Sequence, residues 1–263
     1  MAFNIRGNKN IREHENGEQF AENIQCTLIG DRKCGKTSLL LSYQTDTFSS
    51  EYIATSFDNY TKKTAYKNHL INLSLVDIGG FDIEENDAKQ KLNQQEHHGF
   101  INNLIGTDVI LLCFSIDDKD SFENTSRKWV HQILSYYISS SEDFVDGSNS
   151  QKSKVNSDLT LPIILLVGCK SDRKTQLPLL EQIQALRQSI TKTLDDGQEK
   201  IIRPTNTRSI ISSKEAMHAS RAMRAYSYME CSARWGTGVK EIFDVAIKAV
   251  LERRAYNSFQ RYF

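Results

Sequence analysis

Apolar residues in this chain gather in short runs set between long polar stretches. Val109 to Ser115 and Ile163 to Val167 are continuous apolar runs, the pattern of strands covered on both faces. Ile24 to Ile29 is similar and stops at Gly30. Tyr60 to Tyr66 and Ile71 to Val76 predict an antiparallel pair turning near Lys67-Asn68-His69, and Tyr228 to Cys231 predicts a short last strand. Between these runs, Gly35 to Gln44, Ser121 to Ser139, Ser213 to Tyr226 and Gly238 to about Tyr256 read as helices. In the last, Ile242, Phe243, Ala246, Ile247 and Val250 form one apolar stripe. Strands alternating with helices predict an α/β domain with a mainly parallel six-stranded sheet flanked by helices.

Three stretches break that alternation. Phe81 to Asn103 is polar and rich in Glu, Gln and Asn; Ser139 to Asp158 is rich in Ser, Asn and Asp. Leu177 to Gly197 carries Leu180, Ile183, Leu186, Ile190 and Leu194 at helical spacing and predicts an additional surface helix. The division expected is a polar N-terminal extension (1–22), one domain (23–256) with insertions near 81–103, 139–158 and 177–209, and a short basic-aromatic tail (257–263).

Composition narrows the function classes. The 263 residues balance 33 Lys+Arg against 33 Asp+Glu, which argues against a broad nucleic-acid surface. No apolar run approaches the roughly 20 residues of a membrane span, and the first residues lack an apolar leader core. The five cysteines contain no C-x-x-C pair, so a cytoplasmic, reducing compartment is expected, without a zinc site or disulfide framework. His97-His98 after Glu96 does not make a metal site, because adjacent side chains do not converge.

Candidate chemistry begins at Gly30-Asp31-Arg32-Lys33-Cys34-Gly35-Lys36-Thr37, which fits G-x-x-x-x-G-K-[ST] between a predicted strand and a predicted helix. In such a loop backbone N–H groups point at phosphate oxygens, the lysine reaches the β- and γ-phosphates, and the hydroxyl binds Mg²⁺. The helix adds the positive end of its dipole. The loop alone leaves ATPases, kinases and GTPases open.

Further blocks resolve that choice. Thr37-Ser-Leu-Leu, Phe57-Asp58-Asn59-Tyr60, Val109 to Asp117, Asp120-Ser-Phe-Glu-Asn, Pro162 to Asp172 and Tyr228-Met-Glu-Cys-Ser-Ala occur in order from about Ile24 to Arg254. Together they resemble the Rho family of Ras-like small GTPases, whose members carry an extra helix after the Lys-x-Asp motif. The resemblance implies a Ras-like P-loop domain that binds GTP or GDP with Mg²⁺ as a signalling switch. It implies a nucleotide site of Gly30, Lys33, Cys34, Gly35, Lys36, Thr37, Ser38, Phe48, Thr55, Asp77, Gly80, Cys169, Lys170, Asp172, Ser232 and Ala233. Within that site, Thr37, Thr55 and Asp77 serve the metal. Phe48 packs on the guanine or ribose edge, Gly80 senses the γ-phosphate, and Ser232-Ala233 closes over the base. Lys170 and Asp172 read guanine, whose N1 and N2 donor pair adenine lacks. Effectors would dock on 48–60 and the second switch, and an exchange factor is implied.

The departures from the family collect at hydrolysis. Arg32 stands where the loop ordinarily has glycine, crowding the γ-phosphate, the attacking water and any inserted arginine finger. Phe81 replaces the glutamine that orients that water. Arg32 acting as a finger in cis is a weaker counter-reading, since it starts on the wrong side for in-line stabilisation. Cys169 replaces an asparagine, and a thiol is a poor hydrogen-bond partner, so the tie to the P-loop weakens. The Rnd subgroup resembles this chain in these respects. Ala54 and Gly79 loosen the two switches. The pattern predicts retained binding with slow or absent hydrolysis and no intact catalytic residue. The alternatives are a nucleotide-free pseudo-GTPase scaffold and, more weakly, a P-loop ATPase or nucleotide kinase.

The last four residues, Gln260-Arg261-Tyr262-Phe263, contain no C-a-a-X cysteine, so no prenyl anchor is expected. Arg253, Arg254 and Arg261 alternate with Tyr256, Phe259, Tyr262 and Phe263. The favoured expectation is that these aromatics pack on the domain; weak peripheral membrane contact is the alternative. A monomer is expected.

Overall fold

The apolar runs become the strands of one sheet in a computed structural model that describes residues 22–48, 57–78, 104–139, 160–174 and 210–260. The elements are β1 (Glu22–Gly30), α1 (Lys36–Thr45), β2 (Phe57–Tyr66), β3 (His69–Ile78), β4 (Val109–Ser115), α2 (Lys119–Asn124), α3 (Val130–Ser139), β5 (Ile163–Cys169), α4 (Ser213–Ala222), β6 (Ser227–Glu230) and α5 (Val239–Gln260). The insertions expected at 81–103 and 177–209, the surface helix within the latter, and residues 140–158 lie outside the described residues.

The sheet order is β2-β3-β1-β4-β5-β6. All pairings are parallel except β2 with β3, which run antiparallel from Phe57↔Ile78 to Tyr66↔His69. Lys67 takes a positive φ of 51° in the turn that joins them. Because β4 is buried at every position, alternate residues serve opposite faces. Val109, Leu111 and Cys113 pack with Leu39, Leu40 and Tyr43 of α1 and with Ile242, Phe243, Ala246 and Val250 of α5. Ile110, Leu112 and Phe114 pack with Phe122, Trp129 and Ile133 of the other helical layer and with Ala216 of α4. Tyr43 and Phe243 stack with ring centroids 3.8 Å apart, joining α1 to α5.

The strands run up to three residues beyond or short of their expected bounds, and three helices differ by more than one residue. The helix read over Ser121 to Ser139 is α2 and α3 joined by a wider π-helical turn, Thr125–Trp129. α4 ends at Ala222 because Arg224 turns left-handed (φ 54°). α5 continues to Gln260, past the expected end near Tyr256.

The aromatic packing expected at the chain's end does not occur at its described positions. Tyr256 and Phe259 are 63% and 60% exposed. The arginines do the anchoring instead. Arg253 donates to Leu161 O (2.6 Å) and Asp108 O (3.0 Å). Arg254 donates to Asn23 O and Asp108 Oδ1, both at 2.9 Å, and to Glu22 Oε2 at 3.4 Å. A guanidinium offers five donors in a fixed fork, so two arginines fasten three separate segments where ring stacking would fasten one.

Candidate functional site

Parallel pairing puts the C-terminal ends of β1, β3, β4, β5 and β6 along one edge, and the order reverses about β1, whose neighbours are β3 and β4. That edge is where open α/β sheets hold ligands. The motif residues that are described emerge there.

Gly30 ends β1 with φ 152°, and a Cβ on it would stand 2.1 Å from Cys113 O. Gly35 caps α1 with φ 119°, and a Cβ there would stand 2.9 Å from the Cβ of Cys169. Only glycine fits either place. Gly35 brings no capping side chain, so the first-turn N–H groups of α1 are left for an anion. Lys36 is buried and its Nζ donates to Gly30 O and Asp31 O, both at 2.8 Å, which holds the ammonium inside the loop. Asp31 is braced from the opposite layer: Trp129 Nε1 donates to its Oδ1 at 2.7 Å and Asn124 Nδ2 to its Oδ2 at 2.6 Å. Arg32 and Lys33 are exposed at the tip, Lys33 with φ 61°. Cys34 is buried against β4, its Sγ donating to Cys113 O at 3.6 Å; burial pushes its thiol up to about 11 despite nearby Lys36.

Thr37 and Asp77 meet beside this loop. Thr37 Oγ1 donates to Asp77 Oδ2 at 2.5 Å. Asp77 is fully buried, and its Oδ1 accepts no hydrogen bond. A buried carboxylate touching a hydroxyl is a hard oxygen donor set and fits Mg²⁺, which takes one or two such ligands and completes its shell from phosphates and water. The third expected donor, Thr55, lies outside the described residues, as do Gly80, Phe81, Ala54 and Gly79.

A cavity of about 540 Å³ continues from the loop. Among the expected residues, Gly35, Ser38, Phe48, Cys169, Lys170, Asp172 and Ala233 line it. Ser232 stands behind, donating to Asp172 Oδ1 at 2.8 Å, so one oxygen of a nearly buried carboxylate is fixed. Lys170 adopts φ 62° at the exit of β5, and Ser171 N donates to Cys231 O at 2.9 Å. The loop after β5 is thereby tied to the segment after β6.

Cys231, expected near the base together with Cys169, also lines the cavity. Leu39, Arg173 and Arg234 line it too and were not singled out; Arg173 and Arg234 adjoin motif residues, which was the available signal. Glu230 was missed too. It accepts from Lys174 Nζ (2.6 Å), Ser213 Oγ (2.7 Å) and the Tyr228 hydroxyl (2.8 Å), pinning the base-side loop to β6 and α4.

Comparison with known proteins agrees with this layout. The profile of the Ras family matches residues 25–252. The chain is similar to GTP-binding protein RHO1 of Candida albicans, 30% identical over 224 residues that cover 85% of this chain and 86% of that protein. It is similar to GTP-binding protein rho1 of Schizosaccharomyces pombe, 28% identical over 85% of this chain and 84% of that protein. With the Rho-related GTP-binding protein RhoB of Homo sapiens the identity is 29%, over 86% of this chain and 88% of the relative.

Proposed function

The chain belongs to the Ras family as a Rho-like small GTPase, and from that premise we propose a GTP-binding signalling switch that turns its nucleotide over slowly or not at all. The observation that carries the binding half is Asp172, nearly buried at the cavity wall with one oxygen held by Ser232. A carboxylate so placed accepts the paired N1 and N2 donors of guanine and leaves adenine unmatched. Lys170 and Phe48 border the same cavity and give the base apolar flanks. Lys36, poised on two carbonyls, exchanges them for phosphate oxygens, and the uncapped start of α1 supplies N–H donors beside it. Thr37 and Asp77 hold Mg²⁺, which when bound neutralises phosphate charge; Thr55 and Gly80 complete the phosphate side.

The hydrolysis half rests on Arg32 and Phe81. Phenylalanine neither donates nor accepts a hydrogen bond, so it leaves the attacking water unoriented. Arg32 occupies the approach that an arginine finger would use, a contribution of about 10³–10⁵ in rate. Control would then fall to abundance and nucleotide exchange, with effectors docking on 48–60 and the second switch and an exchange factor loading the site. The neutral overall charge favours protein partners over nucleic acid.

Thermal unfolding with Mg²⁺ and GTP, GDP or ATP tests this reading. Guanine nucleotides at 100 times their Kd should stabilise the fold by about 2.7 kcal/mol. ATP should not, and Lys36→Ala should erase the shift. Rapid multiple-turnover GTP hydrolysis overturns the second half. A second reading, a nucleotide-free scaffold, draws on Cys169, a thiol and thus a poor hydrogen-bond partner where the family has asparagine. No midpoint change with any nucleotide would favour it.

A further inference from the structure

Four thiols of one core cluster lie toward the C-terminal ends of the strands: Cys34 of the loop, Cys113 of β4, Cys169 at the end of β5 and Cys231 just past β6. All are free and buried, on one face of the sheet. They are not equivalent. Cys169 and Cys231 line the cavity, and Cys113 does not. Gly168 pairs with Glu230 and Cys231 N donates to Gly168 O at 2.9 Å, so Cys169 and Cys231 form the next rung of that ladder. Neighbouring strands stand about 4.8 Å apart, within the Cα spacing of about 4.4–6.8 Å that a disulfide spans. Cys113 is offset, since the register partner of Cys169 in β4 is Ser115.

We propose that Cys169 and Cys231 are a redox pair that a hydroperoxide converts to a disulfide, crosslinking the two base-recognition segments from inside the cavity. Each cysteine immediately precedes base-contacting residues, Lys170 to Asp172 on one side and Ser232-Ala233 on the other. The bond therefore fixes the spacing of those two segments. An occupied cavity covers both sulfurs, so nucleotide shields the pair. That shielding rests on the function proposed above; the crosslink itself does not.

The chemistry balances with a peroxide as oxidant. With hydrogen peroxide, the Cys169 thiolate attacks one oxygen, the O–O bond breaks, and the departing hydroxide takes up the proton that thiol released, leaving a sulfenic acid and one water. Cys231 sulfur then attacks the Cys169 sulfur, an S–S bond replaces the S–O bond, and the departing hydroxide takes the Cys231 proton as a second water. Two thiols lose two electrons and the peroxide gains them. The neighbouring Cys113 and Cys231 thiols hold the Cys169 thiol below its ordinary range against the opposing effect of burial, with Lys170 and Lys36 adding to the lowering. Those two lysines favour a thiolate there, which suits Cys169 as the attacking sulfur.

The test uses the full chain, stripped of nucleotide with a chelator and treated with hydrogen peroxide. Remaining thiols are alkylated and the protein is digested with trypsin for mass spectrometry. The expected product links peptide 155–170 to peptide 225–234 and is released by dithiothreitol. In Cys231→Ser the link disappears and Cys169 reacts with dimedone as its sulfenic acid. GDP with Mg²⁺ at ten times its Kd should slow linkage about tenfold by mass action. A link through Cys113 or Cys34, or no link in protein whose melting shows it folded, overturns the pair. Retained GDP that leaves the rate unchanged overturns the shielding. Linkage in protein that binds no GDP upholds the pair and defeats the nucleotide reading.

Discussion

Glu230 has three donors on one carboxylate, and the balance on it sets a pH dependence. Burial alone would raise its pKa; donation from Lys174, Ser213 and Tyr228 outweighs this and holds the group below the usual carboxylate range. A folded value below the unfolded one stabilises above the unfolded pKa, and the gain is lost as pH falls through the folded value. Glu230→Gln should therefore cost about 1–3 kcal/mol at neutral pH, with the gap to the native chain closing in strong acid; urea melts at both pH values read this. Arg32 and Phe81 belong to the same scale. Restoring both, as Arg32→Gly with Phe81→Gln, should raise single-turnover GTP hydrolysis about tenfold or more. A fall on Arg32→Ala alone would identify that side chain as a finger in cis.

Elements carry their own lesson, beginning with the helical arm of α2, the π-helical turn and α3. Trp129 closes that turn and donates to Asp31 in the P-loop at 2.7 Å. Trp129→Phe keeps most of the volume and drops this bond to a charged acceptor, costing about 1.5–3 kcal/mol. It should also speed release of a fluorescent GDP analogue. The brace was illegible beforehand because its partners are 98 positions apart. β4 was legible residue for residue, since a strand buried on both faces writes one unbroken apolar run. The π-helical turn was not, because one extra residue barely disturbs a helical period. α4 was overrun because its stop is Arg224, a residue type that signals no left-handed turn. At the site, motif residues contiguous in sequence were found. Asp172 and Ser232 were both singled out from the family pattern but the bond between them was not, and Glu230's role needed three partners to be seen together.

At the scale of the whole molecule, α5 holds the far pole together. Arg253 and Arg254 tie it to Asp108, Leu161, Asn23 and Glu22, while Tyr256 and Phe259 stand exposed beyond them. Arg254→Ala should cost about 1 kcal/mol, since its contacts are partly exposed. In a domain of this size that lowers the thermal midpoint by about 2–4 °C in calorimetry. Tyr256→Ser and Phe259→Ser should leave the midpoint nearly unchanged. No helix among the described residues is long and apolar enough to cross a membrane. The fastening of Glu22 by Arg254 joins residues 232 positions apart. It also sets a timetable for a chain being born. β1 is made before its lateral partners β3 and β4 and long before the α5 arginine that clamps it. The face of β1 that packs with α5 must therefore wait, bare, until that helix is made. That interval is when a chaperone covering this face would act.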